Sequence, residues 1–209
     1  MSGNVALVVD YGMGNVASVV NMARAAGGHA MVSNSADEIV SAKKLILPGV
    51  GAFDKGMDNL DEQNLIEPLR KAVLDLGTPI LGICLGMQLV GRRSEEGKRD
   101  GLGWIQASTV RFNFPLGETQ LRVPHMGWNN MVSARHDPLL RNLPDDSRFY
   151  FVHSLHLVCD HETDVTGWTT YGYRFPSVIR HKNIFGVQFH PEKSHKFGMA
   201  IIRNFLELM

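Results

Sequence analysis

The stretch from Thr78 to Leu89 limits what this chain can become more than any other. Ile80, Leu81 and Ile83 form a short apolar run rich in branched side chains, the mark of a buried strand. Gly82-Ile83-Cys84-Leu85-Gly86 ends that run, and Met87-Gln88-Leu89-Val90 reads as the start of a helix. A reactive side chain between two glycines on a strand-to-helix turn is a nucleophile elbow. So tight a turn needs small flanking residues, which Gly82 and Gly86 supply. Cys84 is then expected at a helix N-terminus, where backbone N–H groups and the helix dipole favour thiolate. The Leu85 N–H is a candidate oxyanion donor at the same place. The plain alternative is a buried structural cysteine, a common fate of free thiols. What decides between them is what else the chain brings to Cys84.

The segments around this turn alternate strand and helix. Val5 to Asp10 is a continuous apolar run ending in an acid, expected as a central parallel strand. A turn over Tyr11–Asn15 leads to a helix from Val16 to Ala26, stopped by Gly27-Gly28. His29–Val32 is a second strand candidate, and Ser35 to Glu38 has capping-box spacing before a short helix. Leu45–Leu47 is a third strand, and Leu65, Leu69, Val73 and Leu76 recur at helical spacing. This alternation predicts an α/β fold with an open, mostly parallel central sheet and helices on both faces. Beyond about Arg93, polar turns separate strand candidates at Thr109–Phe112, Gln120–Val123, Arg148–Val152, Leu155–Cys159, Asp164–Thr170, Ser177–Arg180 and Ile184–Gln188. These are expected as antiparallel strands added to the sheet. A terminal helix, Lys196 to Leu208, carries Phe197, Ile201, Ile202, Phe205 and Leu208 on one face. No linker divides the halves, so residues 1–209 are expected to form a single domain.

Composition narrows the function classes. Lys+Arg and Asp+Glu both number 21, which gives no basic surplus to attract nucleic acid or an anionic membrane. Two cysteines, Cys84 and Cys159, make neither a disulfide framework nor a zinc site and suit a reducing, cytoplasmic setting. The first residues lack the pattern of a signal peptide, and no apolar run has the length of a membrane span.

A nucleophilic thiol needs a base, and the base needs an orienting acceptor. Gly186-Val187-Gln188-Phe189-His190-Pro191-Glu192 offers both at a strand end, with Pro191 stiffening the step between His190 and Glu192. The expected catalytic set is therefore Cys84 as nucleophile, His190 as base and acid, and Glu192 as orienter. Pro48-Gly49-Val50-Gly51 follows the third strand at its carboxyl end, where open α/β sheets place their sites. Val50 or Gly51 is expected to donate the second oxyanion N–H beside Leu85.

Together these three stretches resemble the class-I glutamine amidotransferases. Ser94-Glu95-Glu96-Gly97, Gly101-Leu102-Gly103-Trp104, Val123-Pro124-His125-Met126-Gly127-Trp128-Asn129 and Phe149-Tyr150-Phe151-Val152-His153-Ser154 narrow the resemblance to the glutaminase subunits of imidazole glycerol phosphate synthase. The resemblance implies hydrolysis of L-glutamine without a cofactor or metal. It also implies delivery of ammonia to a cyclase/synthase subunit built on a (β/α)8 barrel, in histidine biosynthesis. Carried over by position, Gln88 and Glu96 hold the α-amino and carboxylate ends of glutamine, Gly49 lies at the glutamine site, and His153, Ser154 and Leu155 offer backbone contacts. Asn15 and Trp128 are implied at the partner interface. The chain departs from the family's pattern at Leu155, at Gln106-Ala107 and at Arg92-Arg93. A paralogue that supplies ammonia for amidating a surface-sugar derivative is the alternative within the same reaction class.

Readings from other classes remain at this point. Gly12-Met13-Gly14-Asn15-Val16-Ala17 fits the G-x-G-x-x-A pattern of dinucleotide-binding oxidoreductases, although Ser33-Asn34 leaves no acid for a ribose at the next strand end. A regulatory subunit that kept the fold without turnover, and a cysteine peptidase, are further options. His125, His136, His156, His161 and His195 read as structural or exposed.

Overall fold

The computed structural model describes residues 4–114 and 121–208. The amino-terminal half alternates β1 (Val5–Val9), α1 (Val16–Ala25), β2 (His29–Ser33), α2 (Ala36–Ser41), β3 (Leu45–Gly49), α3 (Phe53–Glu62), α4 (Ile66–Arg70), β4 (Ile80–Cys84) and α5 (Leu85–Leu89). Strands then dominate: β5 (Ala107–Arg111), β6 (His125–Asn130), β7 (Val132–Ser133), β8 (Arg148–His153), β9 (Leu155–Cys159), β10 (Val165–Tyr171), β11 (Tyr173–His181) and β12 (Ile184–Val187). Helix α6 (His195–Leu206) ends the fold.

Eight strands form one sheet in the order β2-β1-β3-β4-β12-β11-β10-β7. The first five run parallel, and β11, β10 and β7 extend the sheet antiparallel. Side chains of β1 and β3 alternate between two cores, as the pleat requires. Ala6, Val8 and Ile46 join Val19 and Ala23 of α1 and Ile201, Ile202 and Phe205 of α6. Leu7, Val9, Leu45 and Leu47 join Ile39 of α2, Phe53 and Leu60 of α3, and Leu69 of α4. The continuous apolar runs follow from this double burial, since a strand covered on both faces has no solvent side to keep polar. No helix among the described residues is long and apolar enough to cross a membrane.

The second half departs from expectation in its pairing. The strands at Thr109–Phe112, Arg148–Val152 and Leu155–Cys159 do not join the main sheet. They lie in two separate ladders, β5 with β9 and β6 with β8. Alternation along a strand reports one buried face but not which neighbour it pairs with. Of the candidate strand Gln120–Val123, Gln120 lies outside the described residues and the rest is not strand. Ser35 stands at the start of α2 without a side-chain capping bond; its N–H instead donates to the Ser33 hydroxyl. The helical pattern through Val73 and Leu76 runs on from α4 as a π-helical turn over Lys71–Asp75.

Candidate active site

The elbow forms where β4 meets α5. Cys84 takes φ 52° and ψ −107°, outside the regions open to a relaxed side-chain-bearing residue. Holding such a backbone costs roughly 1–3 kcal/mol and persists where the surroundings fix it. They do so here through close backbone approach. A Cβ on Gly82 would come within 2.7 Å of Gly86 and Met87, and one on Gly86 would overlap the Leu47 carbonyl oxygen. The two glycines of the motif are thus required by packing on both sides of the cysteine.

The parallel pairing of β12 with β4 carries the chain into Gln188, Phe189 and His190 at the same sheet end. His190 N–H donates to the Tyr150 carbonyl at 2.9 Å, and the Ser194 hydroxyl donates to the His190 carbonyl at 2.6 Å. A 3-10 turn over Pro191–Lys193 then folds Glu192 back, and His190 Nδ1 meets Glu192 Oε1 at 2.8 Å. Both side chains are almost fully buried. Burial alone would lower the histidine's pKa. The adjacent Cys84 sulfur and the Glu192 carboxylate outweigh it and raise the pKa to about 9. His190 Nε2 and Glu192 Oε2 are buried without a hydrogen-bond partner.

Cys84 opens onto a cavity of about 250 Å³ lined by Val50, Gly51, Leu85, Gln88, Glu96 and the strand end around His153, Ser154 and Leu155. That is below the roughly 300–1,000 Å³ typical of drug-sized ligands and suits one small metabolite. All the oxyanion and glutamine-binding residues expected from the sequence line it, except Gly49. Gly49 lies behind, against Gly86, the Leu85 Cβ and the Tyr11 hydroxyl, where a Cβ would not fit.

Glu96 is held rather than merely solvated. Its Oε2 accepts from the Phe53 N–H at 2.7 Å, at the start of α3. The Asp54 carboxylate accepts from the Lys98 and Arg99 N–H groups and pins the loop that carries Glu96. Those backbone bonds lower the Asp54 pKa. Gln88 Nε2 donates to the Leu155 carbonyl at 3.2 Å and to Gln188 Oε1 at 3.1 Å, so both amide hydrogens are used and its carbonyl is left as acceptor.

Gln188 and Tyr11 join the site without having been singled out by the sequence motifs. Gln188 is fully buried, and its Nε2 lies 3.7 Å from the Cys84 sulfur as a donor. Its sequence signal is a polar residue at the end of an apolar strand, two before His190. Tyr11 is buried with its hydroxyl unpartnered; burial, then the charge of Cys84, pushes its pKa up, so it stays a neutral phenol. Leu155 accepts the Gln88 amide through its backbone carbonyl, so the departure from the family's pattern at this side chain leaves the contact intact. Arg92 is tied up at the surface with Asp160, Gln106 and Ser108.

Asn15 and Trp128 lie outside the cavity. Asn15 is exposed and caps α1, its Oδ1 accepting from the Ser18 N–H at 3.0 Å. Trp128 is 46% exposed and stacks on His195 with ring centroids 5.4 Å apart. The glycines of the apparent dinucleotide pattern have a local cause: Gly12 takes φ 80°, and a Cβ on Gly14 would press on Gly49 and Pro48 at 3.0–3.1 Å.

The model of the family described as glutamine amidotransferase class-I matches residues 7–209. This chain belongs to that family. Among the family's curated relatives, imidazole glycerol phosphate synthase subunit HisH 2 of Pseudomonas aeruginosa is 47% identical over 203 residues, covering 97% of this chain and 99% of the relative. The protein of the same name from Methanococcus maripaludis is 48% identical over 200 residues, covering 96% and 98%. Among solved structures, a putative GMP synthase component from Thermoplasma acidophilum superposes with a TM-score of 0.73 at 20% identity, covering 99% of this chain and 94% of that one. At that identity it speaks for the class-I amidotransferase fold alone.

Proposed function

We propose that this chain is the glutaminase subunit of an imidazole glycerol phosphate synthase, hydrolysing glutamine at Cys84, His190 and Glu192 and passing the ammonia to a cyclase partner. The observation that carries this reading is that Cys84, in the wall of a cavity sized for one amino acid, has His190, itself paired with Glu192, and the Gln188 amide beside its sulfur. The relatives' names supply the synthase and the place of such a chain in it as one subunit.

The chemistry follows from the groups present. The raised pKa makes His190 an imidazolium at neutral pH, so a positive charge and a transferable proton lie beside the sulfur. Glutamine binds with its α-ammonium against the Gln88 carbonyl and Glu96, and its carboxylate toward the backbone at His153–Leu155. The thiolate attacks the side-chain amide carbon, and the C=O electrons move onto oxygen. The N–H groups of Leu85 and of Val50 or Gly51 stabilise that oxyanion, each worth about 3 kcal/mol. His190 gives its proton to the amide nitrogen, the C–N bond breaks and ammonia leaves. Water then loses a proton to His190 and attacks the thioester carbon. The C–S bond breaks, releasing glutamate and restoring thiolate and imidazolium. Glu192 steadies the imidazolium throughout. Free ammonia is useful only if it reaches an acceptor before protonation, which calls for a sealed path into a bound synthase.

Purified with its cyclase, the chain should support synthesis of imidazole glycerol phosphate from glutamine. Cys84→Ser should abolish that and spare synthesis from added ammonium. Loss of both, or of neither, contradicts the proposal. Activation by a sugar-amidating synthase and not by the cyclase would move the chain to the surface-sugar alternative.

A further inference from the structure

Besides the catalytic histidine, the described residues include a second buried group, His125, His153 and His156, packed among Phe112, Phe151, Tyr171 and Phe175. We infer that His125 is a positioning residue for the glutamine site: it carries a one-way chain of hydrogen bonds from β6 to the Leu155 carbonyl, where the Gln88 amide is anchored. The inference rests on the proposed glutaminase reading.

The direction of the chain follows by elimination. Asn129 Oδ1 accepts from the Asn130 N–H at 2.8 Å, so its NH₂ faces the other way, donating to the Thr170 carbonyl at 2.9 Å and to His125 Nε2 at 3.2 Å. His125 Nε2 is therefore an acceptor, and the ring's proton sits on Nδ1. That proton points at His153 Nε2, 2.9 Å away, which must accept it. His153 then carries its own proton on Nδ1 and donates it to the Leu155 carbonyl at 2.7 Å. The same carbonyl receives Gln88 Nε2, and Gln88 in turn holds Gln188 beside the sulfur.

Two features make the arrangement rigid. His125 and His153 stand directly opposite each other in the β6–β8 ladder, so backbone pairing sets their spacing. Phe151 stacks on His125 at 4.8 Å and Tyr171 at 4.0 Å, which fixes the plane of the buried ring. Both rings stay neutral, since a proton added to His153 Nε2 would face the Nδ1–H of His125.

The test uses the chain bound to its cyclase and three variants. His125→Phe keeps an aromatic ring and removes the donor; His125→Asn restores an N–H at the Nδ1 position. Asn129→Asp, on a half-buried residue, replaces the donor to His125 Nε2 with an acceptor and should flip the tautomer if His125→Phe does not fold. A buried acceptor left unpaired weakens the site it supports. The KM for glutamine should therefore rise about tenfold in His125→Phe and Asn129→Asp, with kcat changed less than about threefold. His125→Asn should recover most of that loss. Nitrogen-15 NMR of the chain should show His153 as the Nδ1–H tautomer in the parent and in His125→Asn, and altered in the other two. An unchanged KM in His125→Phe, or equal damage in His125→Asn with unaltered His153 signals, overturns the inference. If the parent hydrolyses no glutamine with its partner, the functional reading fails while the His153 signals still decide whether the hydrogen-bond chain exists.

Discussion

His190 and His153 are the same residue type, both buried, and the fold drives them in opposite directions. His190 lies between a sulfur and a carboxylate and is raised to about 9. Burial lowers His153 to about 3, and of its two hydrogen-bond partners one is a carbonyl and the other another histidine. Burial penalises charge in both places, so the sign is decided by what each ring faces. One region keeps its ring protonated through neutral pH. The other disfavours a second ring proton, and so holds its donors and acceptors in a single order.

Cys84→Ala should lower glutamine-dependent turnover by on the order of a thousandfold or more, leave ammonium-dependent synthesis intact and let the His190 pKa fall. Glu192→Gln should lower kcat on the order of a hundredfold and move the His190 titration, followed by NMR, well below about 9. A midpoint that stays put would remove the carboxylate from the account. Gln188→Leu takes away the donor to sulfur and the acceptor for Gln88, and should cost about tenfold in kcat/KM by steady-state assay.

Stability against pH sharpens the same contrast. His190 has a folded pKa above the ordinary 6.5, so its contribution is full below 6.5 and lost as pH rises through about 9. His125 and His153 have folded values near 4 and 3, so the unfolded chain binds protons first and stability falls as pH drops below 6.5. Denaturant unfolding should therefore show a maximum near neutrality. Glu192→Gln should flatten the alkaline limb and His125→Asn the acid limb; a swap of those effects would contradict the assignment. Trp128→Ala should be the mildest change, within about 1 kcal/mol in thermal unfolding, because the ring stacks on His195 at a half-open surface.

Much of the half that carries Cys84 is legible in the chain. Val5–Val9 and Leu45–Leu47 are apolar on consecutive residues because both sheet faces are covered, and the glycines around Cys84 have no substitute where backbones touch. His190 and Glu192 are two residues apart, so a local turn unites them. What escapes depends on pairings distant in sequence. His125 meets His153 through the β6–β8 register, 28 residues apart, and the His-Met-Gly-Trp-Asn-Asn run of β6 carries little strand signal of its own. Gln188 reaches Cys84 across 104 residues, through the neighbouring positions of β12 and β4. The separate β5–β9 and β6–β8 ladders escape for the same reason: alternation marks a buried face without naming the partner strand.

The most direct measurement is to trap the chain, bound to the cyclase proposed as its partner, with a chloroketone analogue of glutamine and map the adduct by mass spectrometry. One equivalent is expected on Cys84, with protection by glutamine, and none on Cys159, whose burial pushes its thiol up to about 12. An adduct on Cys159 that silences the enzyme while Cys84 stays unmodified would contradict it.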